Sequence, residues 1–130
     1  INWLTKLFSA IKYRNFSLNT DLKYDYNRII FGAPGTGKSY TLNKDKEDLI
    51  KKNENYERVT FHPDYSYANF VGTYKPVNND NDEISYKYVP GPFLRILVKA
   101  LESNMSDTPE PFLLIIEEIN REILGWNGAY

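Results

Sequence analysis

The chain has 130 residues, 42% hydrophobic and 25% charged, with a formal net charge of -1, values ordinary for a globular protein and unlike those of a disordered chain. The absence of cysteine excludes disulfides and thiolate metal sites, and a single histidine, His62, leaves no basis for a histidine metal cluster. A near-neutral charge offers no strong basic field for nucleic acid.

No apolar run approaches the roughly 20 residues of a membrane span, and the start of the chain, punctuated by Lys6, Lys12 and Arg14, lacks a signal-peptide core. The expected location is the cytoplasm. Trp3, Leu4, Leu7, Phe8 and Ile11 recur at helical spacing and predict an amphipathic helix over about 2–13. Residues 15–27 read as a polar connection, so that 1–27 form an N-terminal helix and linker ahead of a domain spanning 28–130.

Arg28 to Phe31 is expected to form the first strand. A helix should begin near Lys38 and run through Leu42, with a charged helical stretch from Asp45 to Lys52. Residues 57–61 read as a second strand. A short helix is expected between Asp64 and Val71, capped by Ser66 and stopped at Gly72. Tyr74 to Val77 and Ile84 to Val89 flank an Asn/Asp-rich turn and predict a hairpin insertion. Pro92 after Gly91 starts a helix to about Ser103, with Phe93, Ile96, Leu97, Ala100 and Leu101 as its buried stripe. The apolar run 112–116 has the character of a central parallel strand. Strands alternating with helices imply an α/β doubly wound sheet.

Two motifs carry chemistry. Gly32-Ala33-Pro34-Gly35-Thr36-Gly37-Lys38-Ser39 is a complete G-x-x-x-x-G-K-[ST] phosphate-binding loop. Its glycines allow successive N–H groups to turn inward around an anion, and the helix that follows adds its unpaired donors and positive dipole end. The candidate nucleotide-binding set is therefore Gly32, Ala33, Pro34, Gly35, Thr36, Gly37, Lys38, Ser39 and the adjacent Tyr40. Lys38 is placed to reach the β- and γ-phosphates, and the Ser39 hydroxyl to ligate Mg²⁺.

The second motif, Glu117-Glu118, ends the apolar strand at the carboxyl edge, where ligands bind in open α/β sheets. Glu117 is the candidate metal ligand beside Ser39. Glu118 is the candidate catalytic base that orients and deprotonates an attacking water, working with Lys38. For His62 a structural hydrogen-bonding role is favoured over acid/base chemistry. Tyr65, Tyr67, Tyr74, Tyr86 and Tyr88 are expected to pack in the core and hairpin rather than stack on bases.

The phosphate loop, the stretch Phe61-His62-Pro63-Asp64-Tyr65-Ser66-Tyr67-Ala68-Asn69-Phe70-Val71-Gly72, Tyr74-Lys75-Pro76, Gly91-Pro92-Phe93 and Glu117-Glu118-Ile119-Asn120-Arg121 occur in the order seen in McrB-type AAA+ proteins. Over about residues 28–121 the chain resembles the first half of such a P-loop NTPase domain. The resemblance implies a parallel sheet with flanking helices and a β-hairpin insertion, and a GTPase or ATPase that assembles as a hexameric homo-oligomeric ring. It also implies a McrC-like nuclease partner in modification-dependent DNA restriction, with DNA met only through the assembly. Asn120 and Arg121 resemble a family motif that touches the neighbouring subunit.

Three departures stand out. Glu117 replaces the family's usual Asp, residues 122–130 do not resemble the family's next helix, and the sensor asparagine, arginine fingers, final strands and helical lid are not in the sequence. A truncated or partial module that binds nucleotide with little turnover is therefore expected. Two other readings stand beside it: a MoxR-like AAA+ chaperone, which shares Glu-Ile-Asn-Arg but not the Phe61 to Gly72 stretch, and a non-catalytic nucleotide-binding remnant.

Overall fold

The computed structural model describes Thr5 and residues 23–78 and 83–121. The amphipathic helix expected over 2–13, Thr5 apart, and the segment 122–130 lie outside the described residues. Four strands and three α-helices are described, with a 3-10 turn (Asn53–Asn55) before the first strand: α1 (Lys38–Leu49), β1 (Tyr56–Thr60), α2 (Tyr67–Phe70), β2 (Gly72–Asn78), β3 (Ile84–Pro90), α3 (Pro92–Asn104) and β4 (Leu113–Glu117). No helix among them is long and apolar enough to cross a membrane.

The sheet that positions the site is a parallel pair. β1 lies beside β4 with Tyr56 opposite Leu113 and Thr60 opposite Glu117. One further bond, from Phe61 N–H to the Glu117 carbonyl at 2.9 Å, extends the ladder past the end of β1. Of the apolar run, Ile115 is fully buried at 3% exposure, whereas Leu113, Leu114 and Ile116 are half-buried. The reason is geometric: β4 has one sheet neighbour among the described residues, so its flank is incompletely covered.

The expected strand Arg28 to Phe31 does not form. These residues pair with nothing in a ladder, and Ile29 and Phe31 are 77% and 90% exposed. A strand is held by inter-strand bonds and packing, and no described strand lies alongside it to supply either. The two helical stretches expected after the loop merge instead into the single helix α1. No α1 residue is fully buried, and polar contacts hold the helix in place. Asp48 accepts from Lys23 and, at 2.8 Å, from the Tyr24 hydroxyl, while Asp45 pairs with Arg28. Lys46 Nζ sits 4.6 Å from the centre of the Tyr56 ring.

β2 and β3 form the expected antiparallel hairpin, with Tyr74 opposite Tyr88 and Pro76 opposite Tyr86. Side chains alternate across a strand, so Tyr74, Pro76, Ile84, Tyr86 and Tyr88 share one face. That face is largely open: Tyr74, Tyr86 and Ile84 are exposed, and so is Tyr67 on α2. The expected packing holds for Tyr65 and, in part, for Tyr88, whose hydroxyl is held above its usual pKa by burial and by its neighbours Tyr67 and Tyr74.

Helix α3 is where the elements converge, contacting β1, β4, β3 and α2. Its fully buried positions are Pro92, Leu94, Ile96 and Val98, the last with no exposure at all. Ile96 belongs to the expected stripe, while Phe93, Leu97, Ala100 and Leu101 are half-buried. A helix covered on more than one side buries more than a single stripe, which a one-face pattern cannot show. Arg95 fixes its orientation, its fork donating to Glu57 at 2.7 and 3.1 Å and to the Pro90 carbonyl at 3.0 Å.

An aromatic chain joins α2 to this core. Phe61 meets Tyr65 at 5.1 Å and Phe70 edge-on at 5.4 Å, and Phe70 stacks on Phe93 at 5.2 Å. Ser66 caps α2 in a reciprocal capping box with Asn69. Such close packing leaves no room at Gly91, where an added Cβ would lie 2.3 Å from the Phe70 carbonyl oxygen. Gly91→Ala should therefore destabilise the fold by about 1–3 kcal/mol. Urea unfolding would measure it, and an unchanged midpoint would show that α2 and α3 can part at little cost.

A polar cluster ties the turn before β1 to the approach to β4. Lys52 pairs with Glu110, and the buried Asn55 amide donates to Glu110 Oε2 at 2.9 Å. Lys52 and then Asn55 hold the Glu110 carboxyl below its usual range. Because the folded-state pKa is depressed, the stabilisation is complete above the unfolded value of about 4.3 and disappears as pH falls through the lower folded value. Glu110→Gln should lower the melting temperature at pH 7, and the gap to the unsubstituted chain should close as the pH approaches 3.

Candidate functional site

The phosphate loop owes its shape to three glycines with positive φ. Gly32 stands at 154°, Gly35 at 78° and Gly37 at 77°. Gly37 is the N-cap of α1 in the left-handed region, where a residue with a Cβ would be strained. Thr36 closes the turn by donating its hydroxyl to the Ala33 carbonyl at 2.7 Å. No side chain caps α1 and no acid lies in its first turn, so neither competes with an anion for its amino end.

Lys38 folds back across the loop. Its ammonium donates to the carbonyls of Gly32 at 2.7 Å and Ala33 at 2.8 Å. The charge thus hovers over the concavity, held by neutral acceptors that an anionic oxygen would outcompete. Pro34 and Gly35 form the exposed crest of the turn, and Tyr40 points into solvent one residue beyond Ser39.

Ser39 meets the second motif. Its hydroxyl lies 3.2 Å from Glu117 Oε1, across 78 residues of sequence. The first turn of α1 carries the hydroxyl, and the last residue of β4 carries the carboxylate. The longer side chain of Glu117, compared with an aspartate, spans that gap. A hydroxyl and a carboxylate at this separation are hard oxygen donors that suit Mg²⁺, which takes one or two protein oxygens and completes its shell with water and phosphate.

Glu118 goes elsewhere. Its backbone takes φ 57°, the left-handed region uncommon for a residue with a side chain, and the chain turns sharply after the strand. The Arg121 N–H closes this turn on the Glu118 carbonyl at 2.9 Å, and Arg121 Nε donates to Glu118 Oε2 at 3.0 Å. His62 lies just past the ladder with its side chain exposed. Its carbonyl accepts from Tyr65 N–H at 2.8 Å, and its ring meets the Tyr65 ring edge-on at 5.4 Å. The hydrogen bond is thus made by the backbone, and the imidazole serves as a ring contact.

One neighbour was not foreseen. Arg58, on β1, reaches Asn43 Oδ1 of α1 with one guanidinium nitrogen, and the other lies 3.9 Å from Glu117 Oε1. Only the register reveals this. With Thr60 opposite Glu117, alternation returns Arg58 to the same face, and its length carries the charge up to the carboxylate.

A family model described as AAA domain (dynein-related subfamily) matches residues 27–125. A Bacillus subtilis protein named as the type II restriction enzyme BsuMI component YdiS is 42% identical over 117 residues, covering 73% of this chain and 33% of that protein. The chain thus spans about a third of the length of this relative.

Proposed function

The chain belongs to the dynein-related subfamily of AAA domains as an AAA+ module of the McrB type, and from that membership we propose that it binds and hydrolyses a nucleoside triphosphate, GTP or ATP, as the motor part of a restriction system. The observation that carries the proposal is the 3.2 Å contact between Ser39 and Glu117, which joins the phosphate loop to the acidic strand end.

In this reading the loop N–H groups and the amino end of α1 receive the β- and γ-phosphates. The Lys38 ammonium exchanges the Gly32 and Ala33 carbonyls for phosphate oxygens, a stronger charge-assisted pairing. Ser39 and Glu117 would hold Mg²⁺, which when bound supplies neutralisation of charge on the phosphate oxygens. Glu118, one residue on, orients the attacking water and accepts its proton. To do so its carboxylate must leave the exposed pair with Arg121, a small cost for a surface contact.

The restriction role rests on the relative, a named component of a restriction enzyme. By extension the working form is a ring of like subunits, a hexamer in the McrB pattern, joined by a McrC-like nuclease subunit and meeting DNA through the assembly. The cytoplasm, where such a system would meet DNA, is the proposed location.

Lys38→Ala should weaken binding of a fluorescent nucleotide by about 10–100-fold, the loss of a charged hydrogen-bonding partner. An unchanged affinity in that titration removes the nucleotide site from the loop. Glu118→Gln should bind within about twofold of the unsubstituted protein, while hydrolysis by the assembled complex falls by about 10²–10⁴. Turnover that survives this change would take the water-activating role away from Glu118.

A further inference from the structure

Two groups converge on one carboxylate oxygen, and a third tethers one of them. Glu117 Oε1 lies 3.2 Å from the Ser39 hydroxyl and 3.9 Å from Arg58 Nη1, while the other end of the same guanidinium donates to Asn43. The Ser39 contact falls within hydrogen-bonding range and the Arg58 contact does not, so Ser39 orients the carboxylate and Arg58 contributes charge. Arginine does not lose its proton in a protein, and Asn43 tethers this one to α1. The positive charge is therefore a permanent part of the oxygen-donor pair read above as the Mg²⁺ site.

We propose that Arg58 is a resident counter-charge that competes with divalent metal for Glu117 and so raises the Mg²⁺ concentration needed for nucleotide binding. The inference rests on the nucleotide and metal reading of the site and adds a positioning residue to it. Without metal, the guanidinium balances the charge of the carboxylate beside the phosphate loop. Were Ser39 and Glu117 to hold a dication, the same charge would oppose it. Arg58 and Glu117 are only partly covered, at 31% and 24% side-chain exposure, so solvent screens the repulsion without removing it. The effect is on metal affinity, since the contacts that hold Arg58 run to Asn43 and Glu117.

The test is a Mg²⁺ titration of fluorescent-nucleotide binding at constant ionic strength, on the full chain. Arg58→Met, which keeps the length and removes the charge, should lower the half-saturating Mg²⁺ about 3–10-fold, as expected for loss of one screened like charge. Its nucleotide affinity in excess EDTA should stay within about twofold. Arg58→Lys, which keeps the charge, should titrate close to the unsubstituted chain. Arg58→Gln gives a second neutral variant, and melting curves of all three confirm folding. An unchanged or higher Mg²⁺ requirement in the folded neutral variants overturns the proposal while leaving the Lys38 result intact. If the unsubstituted chain binds nucleotide with no dependence on Mg²⁺, the metal reading fails and this inference falls with it.

Discussion

The parallel ladder between β1 and β4 is the constraint on which the site depends. Its register places Thr60 opposite Glu117, and the bond from Phe61 N–H to the Glu117 carbonyl anchors the strand at the point where its carboxylate must project. A shift of one residue would turn every side chain to the opposite face. Glu117 would then lose Ser39, and Ile115 would leave the core. The same five-residue pairing therefore determines both the packing and the candidate chemistry.

Packing reinforces that register from the other side. Arg95 on α3 grips Glu57 of β1 with two bonds, and the chain of Phe61, Phe70 and Phe93 joins the end of β1 to α2 and α3. The segment between β1 and α3 leaves as a hairpin and returns at Gly91, whose N–H bonds to the Val71 carbonyl at 2.8 Å. The insertion is thus pinned at its base by β1, α2 and α3. Its outer tyrosine face makes no comparable contribution to the core.

Much of this was legible in the residues because it is local. Ser66 as a cap, Pro92 as a helix start, and the pairing of the alternating segments 74–77 and 84–89 all follow from short-range pattern, and each lies where expected. The misreadings concern relations between distant segments. The residues around Ile29 and Phe31 have strand-like composition, but composition supplies no neighbour, and without a ladder the side chains stay in solvent. The stripe on α3 was read as one face, whereas a helix enclosed by α2 and the strands buries Leu94 and Val98 as well. The loop and the acidic pair were visible as motifs, yet the approach of Arg58 to Glu117 was not, since it follows from register and side-chain length together.

The two adjacent glutamates show how a strand end can give neighbouring carboxylates different surroundings. Within a strand, residues in sequence point to opposite faces, and Glu117 keeps that geometry because the ladder still holds its carbonyl. Glu118 is the first residue beyond that hold, and its backbone crosses to φ 57°. For a residue with a Cβ this conformation costs roughly 1–2 kcal/mol, and the turn closed by Arg121 is what sustains it. Beyond the reversal the second carboxylate pairs with Arg121 at the surface, while the first stays between Ser39 and Arg58. One carboxylate is thereby held between strand and helix, as the proposed metal ligand would need, and the other pairs with Arg121 at the surface, a contact the proposed proton acceptor would give up. The strain at Glu118 lies at the boundary between those two demands.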